Sequence, residues 1–203
     1  MAQTWDKNGK RLPITVVIAK PIVVTQIKTT QADGYPAIQV GIGSKKAKHT
    51  SQAVLHHLKK TRSDTVPQYL REVRLTDQPT NQVGDSLKAE TVLSVGDMVM
   101  VTGLSKGRGF AGNVKRHGFK GGPRTHGQSD RERAPGAIGQ GTSPGRIHKG
   151  KRMAGHMGVT RFAVKNLMVV SLEPETGILW LSGPVPGSRR SLLTIVKTGH
   201  KTL

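Results

Sequence analysis

The chain contains no cysteine. This excludes disulfides, thiolate metal sites and a cysteine nucleophile, and it fits a reducing compartment. No apolar run approaches the roughly 20 residues a membrane helix needs. The segment from Met1 to Asp6 has neither the hydrophobic region of a signal peptide nor the Arg-rich amphipathic look of an organellar presequence. The expectation is a protein that stays where it is made. Acids are the scarcest class relative to their partners, with 12 Asp and Glu against 32 Lys and Arg and a formal net charge of +20 over 203 residues.

The imbalance is concentrated between Ser105 and Arg161. Thirteen cations stand there against Asp130 and Glu132, and fourteen of the chain's 25 glycines lie in the same stretch. Such a segment has too little apolar surface to offset the entropy of ordering its backbone. A fixed shape then needs an outside partner, and the sign of the charge makes that partner a polyanion. The cations are interleaved with glycine and histidine and do not line one face of an amphipathic helix. That disfavours a membrane surface and favours nucleic acid.

The flanks read as foldable. Leu12–Ala19, Ile22–Lys28, Tyr35–Ile42, Gln68–Leu75, Val95–Gly103, Phe162–Leu172, Ile178–Ser182 and Leu192–Lys197 have strand patterns, with a short strand entered at Val83–Leu87. Asp33-Gly34 and Glu173–Gly177 are turn signals, and a break falls near Lys165-Asn166. One short helix is expected from a cap at Thr50 or Ser51 to about Lys60, with Ala53, Val54 and Leu58 inward. The expected fold is mainly β: a small barrel made of residues 1–104 and 162–203, with 105–161 inserted as a projecting arm.

Three chemical motifs tempt and fail. Gly107-Arg108-Gly109-Phe110-Ala111-Gly112 matches G-x-G-x-x-G, but the glycines and Pro123 that follow leave no room for a βαβ unit. The glycines are better used to let backbone N–H groups approach phosphate. Gly141-Thr142-Ser143-Pro144-Gly145 matches a hydrolase elbow, yet Pro144 has no N–H to give an oxyanion. His117, His126, His148 and His156 are too widely spaced, without cysteine or nearby carboxylates, for a structural zinc site. No enzyme, metal site, cofactor or small-molecule substrate is expected. Phe110 is expected to anchor the arm's root, while Phe119 is open between anchoring and base stacking.

Residues 102–127, TGLSKGRGFAGNVKRHGFKGGPRTHG, and 133–158, RAPGAIGQGTSPGRIHKGKRMAGHMG, resemble the signature of the universal ribosomal large-subunit protein three family in its bacterial form. GYPAIQVGIG at 34–43 and VPGSRR at 185–190 fit the same pattern. The resemblance implies a β-barrel of the translation-protein type on the outer surface of the large subunit. Its arm would thread into rRNA toward the peptidyl transferase centre. It also implies binding to large-subunit rRNA early in assembly, contact with neighbouring ribosomal proteins, a cytoplasmic location and no catalysis. By position the tip would be about 134–148, turning at Pro135-Gly136 and Pro144-Gly145.

Two departures from the family pattern stand out. Bacterial members begin with a further Gly- and Lys-rich strand before the segment matching Met1 to Gly9; the expectation is either a barrel one strand short or a misassigned start. A glutamine that some members N-methylate falls at Thr142, so no such modification is expected; Gln140 occupies a different position. The expected rRNA-binding residues are Lys106, Arg108, Lys115, Arg116, His117, Lys120, Arg124, His126, Arg131, Arg133, Gln140, Arg146, His148, Lys149, Lys151, Arg152 and His156. The rival expectation is a nonspecific nucleic-acid chaperone or DNA-compacting protein.

Overall fold

The structure is a computed structural model, and it describes residues 1–6, 8–61 and 66–200. The last three residues of the expected globular segment, 201–203, lie outside the described residues. Twelve strands and three short α-helices alternate along the described chain. In order they are β1 (Ala2–Trp5), β2 (Arg11–Ile18), β3 (Ile22–Lys28), α1 (Thr30–Asp33), β4 (Ala37–Ile42), α2 (Gln52–Leu58), β5 (Tyr69–Arg74) and β6 (Ser86–Leu87). There follow β7 (Asp97–Leu104), β8 (Phe110–Ala111), α3 (Asn113–His117), β9 (Gly155–His156), β10 (Arg161–Glu173), β11 (Ile178–Ser182) and β12 (Thr194–His200).

The fold is mainly β, as the strand patterns imply. The β-branched runs of β2 and β3 suit a pleated, half-buried surface. Six strands lie in the order β1-β2-β11-β10-β7-β12 and four in the order β5-β4-β3-β6; β8 and β9 form a separate pair. In the larger sheet β2 runs antiparallel to β11, with Val16 opposite Trp180 and Val17 opposite Leu179. Period-two alternation then sends Leu179 and Leu181 inward, where they are fully buried with Val99 and Val169, and leaves Val16 and Ile18 on the exposed face. In the smaller sheet Val24, Ala37, Ile38 and Val40 are buried.

The expected closed barrel is corrected: both larger sheets are open. Six strands end at β1 and β12, and four end at β5 and β6. Closure needs tilted strands hydrogen-bonded in one continuous ring. Here β6 contributes only two residues, and β3 carries a bulge between Val24 and Gln26. The single expected helix becomes three. The helix foreseen after Ser51 is α2, continued by one 3₁₀ turn at Lys59–Thr61. Leu58 is buried and Val54 half-buried as expected, but Ala53 is exposed and Leu55 takes its place.

By packing, the chain forms two compact units. The first comprises Met1–Met100, Lys165–Pro184 and Val196–Leu203; the second comprises Val101–Val164 and Val185–Ile195. A polar cluster closes β3, β4 and β5 at the surface of the first. Lys28 pairs with Glu72 at 2.7 Å and donates to the Tyr35 hydroxyl at 3.0 Å, and that hydroxyl donates to Glu72 at 3.0 Å. Arg74 lies over the Tyr35 ring, 4.5 Å from its centroid. At the start of β7 the buried Asp97 carboxylate accepts the Ser94 N–H at 2.8 Å and pairs with Lys197 of β12 at 2.7 Å.

Candidate nucleic-acid interface

The second unit holds the basic stretch. Its root is a two-limbed ladder. Ser105 N–H donates to Thr160 O, Arg108 N–H to Met157 O and Met157 N–H to Gly109 O, each at 2.9 Å. Beyond them Phe110 of β8 pairs with His156 of β9, and Ala111 with Gly155. The limbs approach closely because Gly158 has φ +85° and no side chain. A β-carbon there would collide with Lys106 O and lie 2.8 Å from Gly107 Cα. Glycine thus lets the outgoing and returning chains meet, and this part of the stretch orders through its own backbone.

After β8 the chain turns into α3, which Gly118 ends with φ 72°. A helix does follow the G-x-G-x-x-G segment, contrary to expectation, but it has five residues, and the β8–β9 pair that flanks it is antiparallel. No βαβ unit is formed there. Three side chains of α3 reach the returning limb. Arg116 Nη1 donates to Met153 O at 2.7 Å, His117 Nε2 faces the same oxygen at 3.0 Å, and buried Asn113 donates to Arg152 O at 3.4 Å. A ring nitrogen facing a carbonyl must carry the proton. Arg116 and His117 therefore brace the protein, and Asn113, absent from the sequence-based set, joins them. Its signal was its place beside the helix-opening Gly112.

Beyond α3 the chain makes a second fold-back. Gly122 N–H donates to Glu132 O at 2.8 Å, and Arg124 pairs with Glu132 at 2.7 Å. Phe119, Lys120, Arg131 and Pro135 line an open concavity of about 420 Å³, and the Phe119 ring lies 5.9 Å from that of His117. Lys120 and Arg131 are exposed, Phe119 half-buried. An apolar floor flanked by two cations suits a base edge or sugar with its phosphate. Every residue from Pro135 to Arg152 is exposed. Within this run the chain turns at 142–144, as expected near Pro144-Gly145; the other turn falls at Glu132-Arg133, ahead of Pro135-Gly136.

All seventeen expected residues lie in this one unit. His117 is half-buried and the other sixteen are exposed. Lys106 and Arg108 sit on the outgoing limb of the root and His156 on the returning limb. Lys115 is on α3. His126 (φ 62°) and Arg133 lie in the second fold-back. Gln140, Arg146, His148, Lys149, Lys151 and Arg152 occupy the exposed run. Phe110 is 81% exposed, so the expectation that it anchors the root is corrected: two-residue β8 presents it outward opposite His156, with no apolar surface over it. The unit contains fifteen Lys and Arg against Asp130 and Glu132. Among the described residues no group of three or more His, Asp or Glu could hold a metal, and no helix is long and apolar enough to cross a membrane.

Comparison with known proteins finds a matching family, and relatives that span nearly the whole chain. A family model described as ribosomal protein L3 matches residues 72–177. The large ribosomal subunit protein uL3 of Cutibacterium acnes is 44% identical over 201 residues, covering 99% of this chain and 89% of that protein. The protein of the same name from Acaryochloris marina is 48% identical, covering 96% of this chain and 91% of its own length. That of Herpetosiphon aurantiacus is 45% identical, covering 100% and 94%.

Proposed function

This chain belongs to the ribosomal protein L3 family, and from that premise we propose that the second unit is its rRNA grip. The protein is a structural, non-enzymatic constituent of the large ribosomal subunit, with rRNA and neighbouring ribosomal proteins as partners. The exposed cations Lys106, Arg108, Lys115, Lys120, Arg131, Arg133, Arg146, Lys149, Lys151 and Arg152 neutralise RNA phosphates. Each contact releases condensed counterions. His126, His148, His156 and Gln140 supply hydrogen bonds, and Arg124 joins once RNA competes for its Glu132 partner. Phe110 stacks on an unpaired base. Arg116 and His117 position the arm and contact RNA only through the guanidinium edge that Met153 leaves free. The segments flanking β8 and β9 are glycine-rich and their two limbs lie in direct hydrogen-bond contact, so the arm passes between RNA helices where an amphipathic helix would not fit.

The observation that carries this reading is the uninterrupted exposure from Pro135 to Arg152. The run has four Lys and Arg and no acid. A segment so placed contributes almost nothing to the protein's own core and is available to a polyanion along its whole length. We extend the reading to early subunit assembly and to shaping RNA beside the peptidyl transferase centre. The test is to express the tagged chain in a bacterium and follow it through sucrose gradients at increasing salt. Co-sedimentation with the large subunit and its precursors is expected. Equal affinity of the purified chain for DNA and large-subunit rRNA at physiological salt would replace this reading with a nonspecific nucleic-acid chaperone.

A further inference from the structure

We propose that the turn Ser188–Ser191 is a second RNA-backbone grip, in which Arg189 and Arg190 hold phosphate independently of the arm. The proposal rests on the rRNA-binding reading above. The turn lies far from 105–161 in sequence and outside the span of the family model, yet Val185–Ile195 packs into the same compact unit as the arm. It is firmly seated there. A β-carbon on Gly103 would lie 2.8 Å from Leu193 Cδ2 and 3.2 Å from Pro186 Cγ. Gly187 has φ +101°, and a β-carbon there would lie 2.6 Å from Ser191 Oγ and 2.8 Å from Leu104 O. The segment is therefore held against residues 103–104, immediately before Ser105 opens the arm's ladder.

The turn itself is closed twice on one carbonyl. Ser191 N–H and Ser191 Oγ both donate to Ser188 O, at 3.3 and 2.8 Å. Arg189 and Arg190 occupy its two central positions. Arg190 has φ +63°. That third position of a turn is ordinarily filled by glycine or asparagine, because a β-carbon in the left-handed region costs about 1 kcal/mol. Arginine returns nothing to the fold for this cost. Both side chains are exposed, and among the described residues neither guanidinium has a carboxylate partner. Backbone strain that brings no internal contact points to a ligand.

The ligand's chemistry follows from what the turn offers. Two adjacent planar guanidiniums match paired anionic oxygens. The turn has no aromatic to stack a base and no carboxylate to accept from one, so it does not read sequence. A phosphodiester backbone is the occupant these groups suit, in a unit whose charge is already strongly positive.

The test uses the full chain and deproteinised large-subunit rRNA, with affinity measured across a salt series. For Arg189→Ala/Arg190→Ala, the slope of log affinity against log salt should fall by about 1.5, from roughly 0.7 to 0.9 per lost phosphate contact. Affinity at a fixed salt should drop about tenfold. Arg190→Gly should lower the slope by about half as much while its melting temperature stays level or rises, because glycine relieves the left-handed backbone. That variant guards against a loss caused by unfolding. Combined with Arg146→Ala/Lys149→Ala in the arm, the losses should add. The proposal is overturned if the double variant binds like wild type, or if Arg190→Gly lowers the melting temperature and leaves binding intact. Wild-type chain that shows no salt-dependent rRNA binding would instead sink the rRNA reading itself.

Discussion

At the level of single residues, two charged clusters hold the first unit by opposite means. Asp97 is fully buried, and Lys197 is its partner from another strand. Removing the cation takes a charge-assisted contact from a buried carboxylate. Lys197→Ala should therefore lower unfolding free energy by about 1–3 kcal/mol. Asp97→Asn, which keeps a polar atom facing Ser94 but no charge, should cost less than Lys197→Ala. Chemical denaturation of the three proteins checks the order. The Lys28–Glu72–Tyr35 cluster lies at the surface, with Lys28 and Tyr35 half-buried, and acts through pH. Hydrogen bonds from Lys28 and then from Tyr35 hold the Glu72 carboxyl below its ordinary 4.5, and Glu72 in turn raises Lys28 above its ordinary 10.5. A lowered acid stabilises the fold above its unfolded value and loses that contribution as pH falls through the folded one. A raised lysine stabilises below its unfolded value and loses the contribution as pH rises. The stability difference between wild type and Glu72→Gln should thus be flat between pH 4.5 and 10.5 and shrink outside that window. A difference that stays constant through acid titration would remove the cluster's role.

At the level of elements, the root ladder separates an ordered part of the arm from an exposed one. Limited proteolysis of the free chain should cut between 135 and 152 and spare 105–111 and 155–160. Equal cutting throughout would show that the ladder does not persist without RNA. Gly158→Ala should abolish the distinction, because its β-carbon meets Lys106 O on the opposite limb. The strain is worth about 1–3 kcal/mol locally, and hydrogen exchange at Arg108 and Met157 should accelerate. These same elements show where sequence is informative. Strands β3 and β11 span the same residues as their sequence patterns, since β-branched and apolar residues between turn signals have few alternatives. Strand β1, AQTW, carries no such pattern. It exists because Ala2 to Trp5 find Ile14 to Arg11 as ladder partners. Strands β8 and β9 are two residues each and meet across more than forty positions, a pairing no local window contains. Helix α3 is flanked by Gly112 and Gly118, so composition hides it; its hold on Met153 is tertiary.

For the whole molecule, charge was the legible quantity and its division of labour was not. Composition locates the basic stretch, because cations without acids cannot neutralise one another. It does not distinguish Arg116, committed to Met153, from Arg146, which is exposed in the tip run. That difference depends on which carbonyls the fold leaves unpaired. Nor does it show that Arg189 and Arg190 share a unit with the arm, since packing alone brings 185–195 beside 103–104. The partition makes a functional claim. If the root and its surroundings supply most of the grip while the exposed run reaches toward the catalytic RNA, binding and function should be separable. Deleting Ala137–Ser143 removes no Lys or Arg and no residue of the ladder or of α3. Such a chain, as the sole copy in a bacterial strain, should enter large subunits at wild-type levels in sucrose gradients. Its ribosomes should nevertheless show altered peptidyl transfer or altered sensitivity to drugs that bind the catalytic centre. If rate and drug response are unchanged, the tip has no role beyond occupying space. If incorporation itself fails, the exposed run carries the binding energy assigned here to the cations around it.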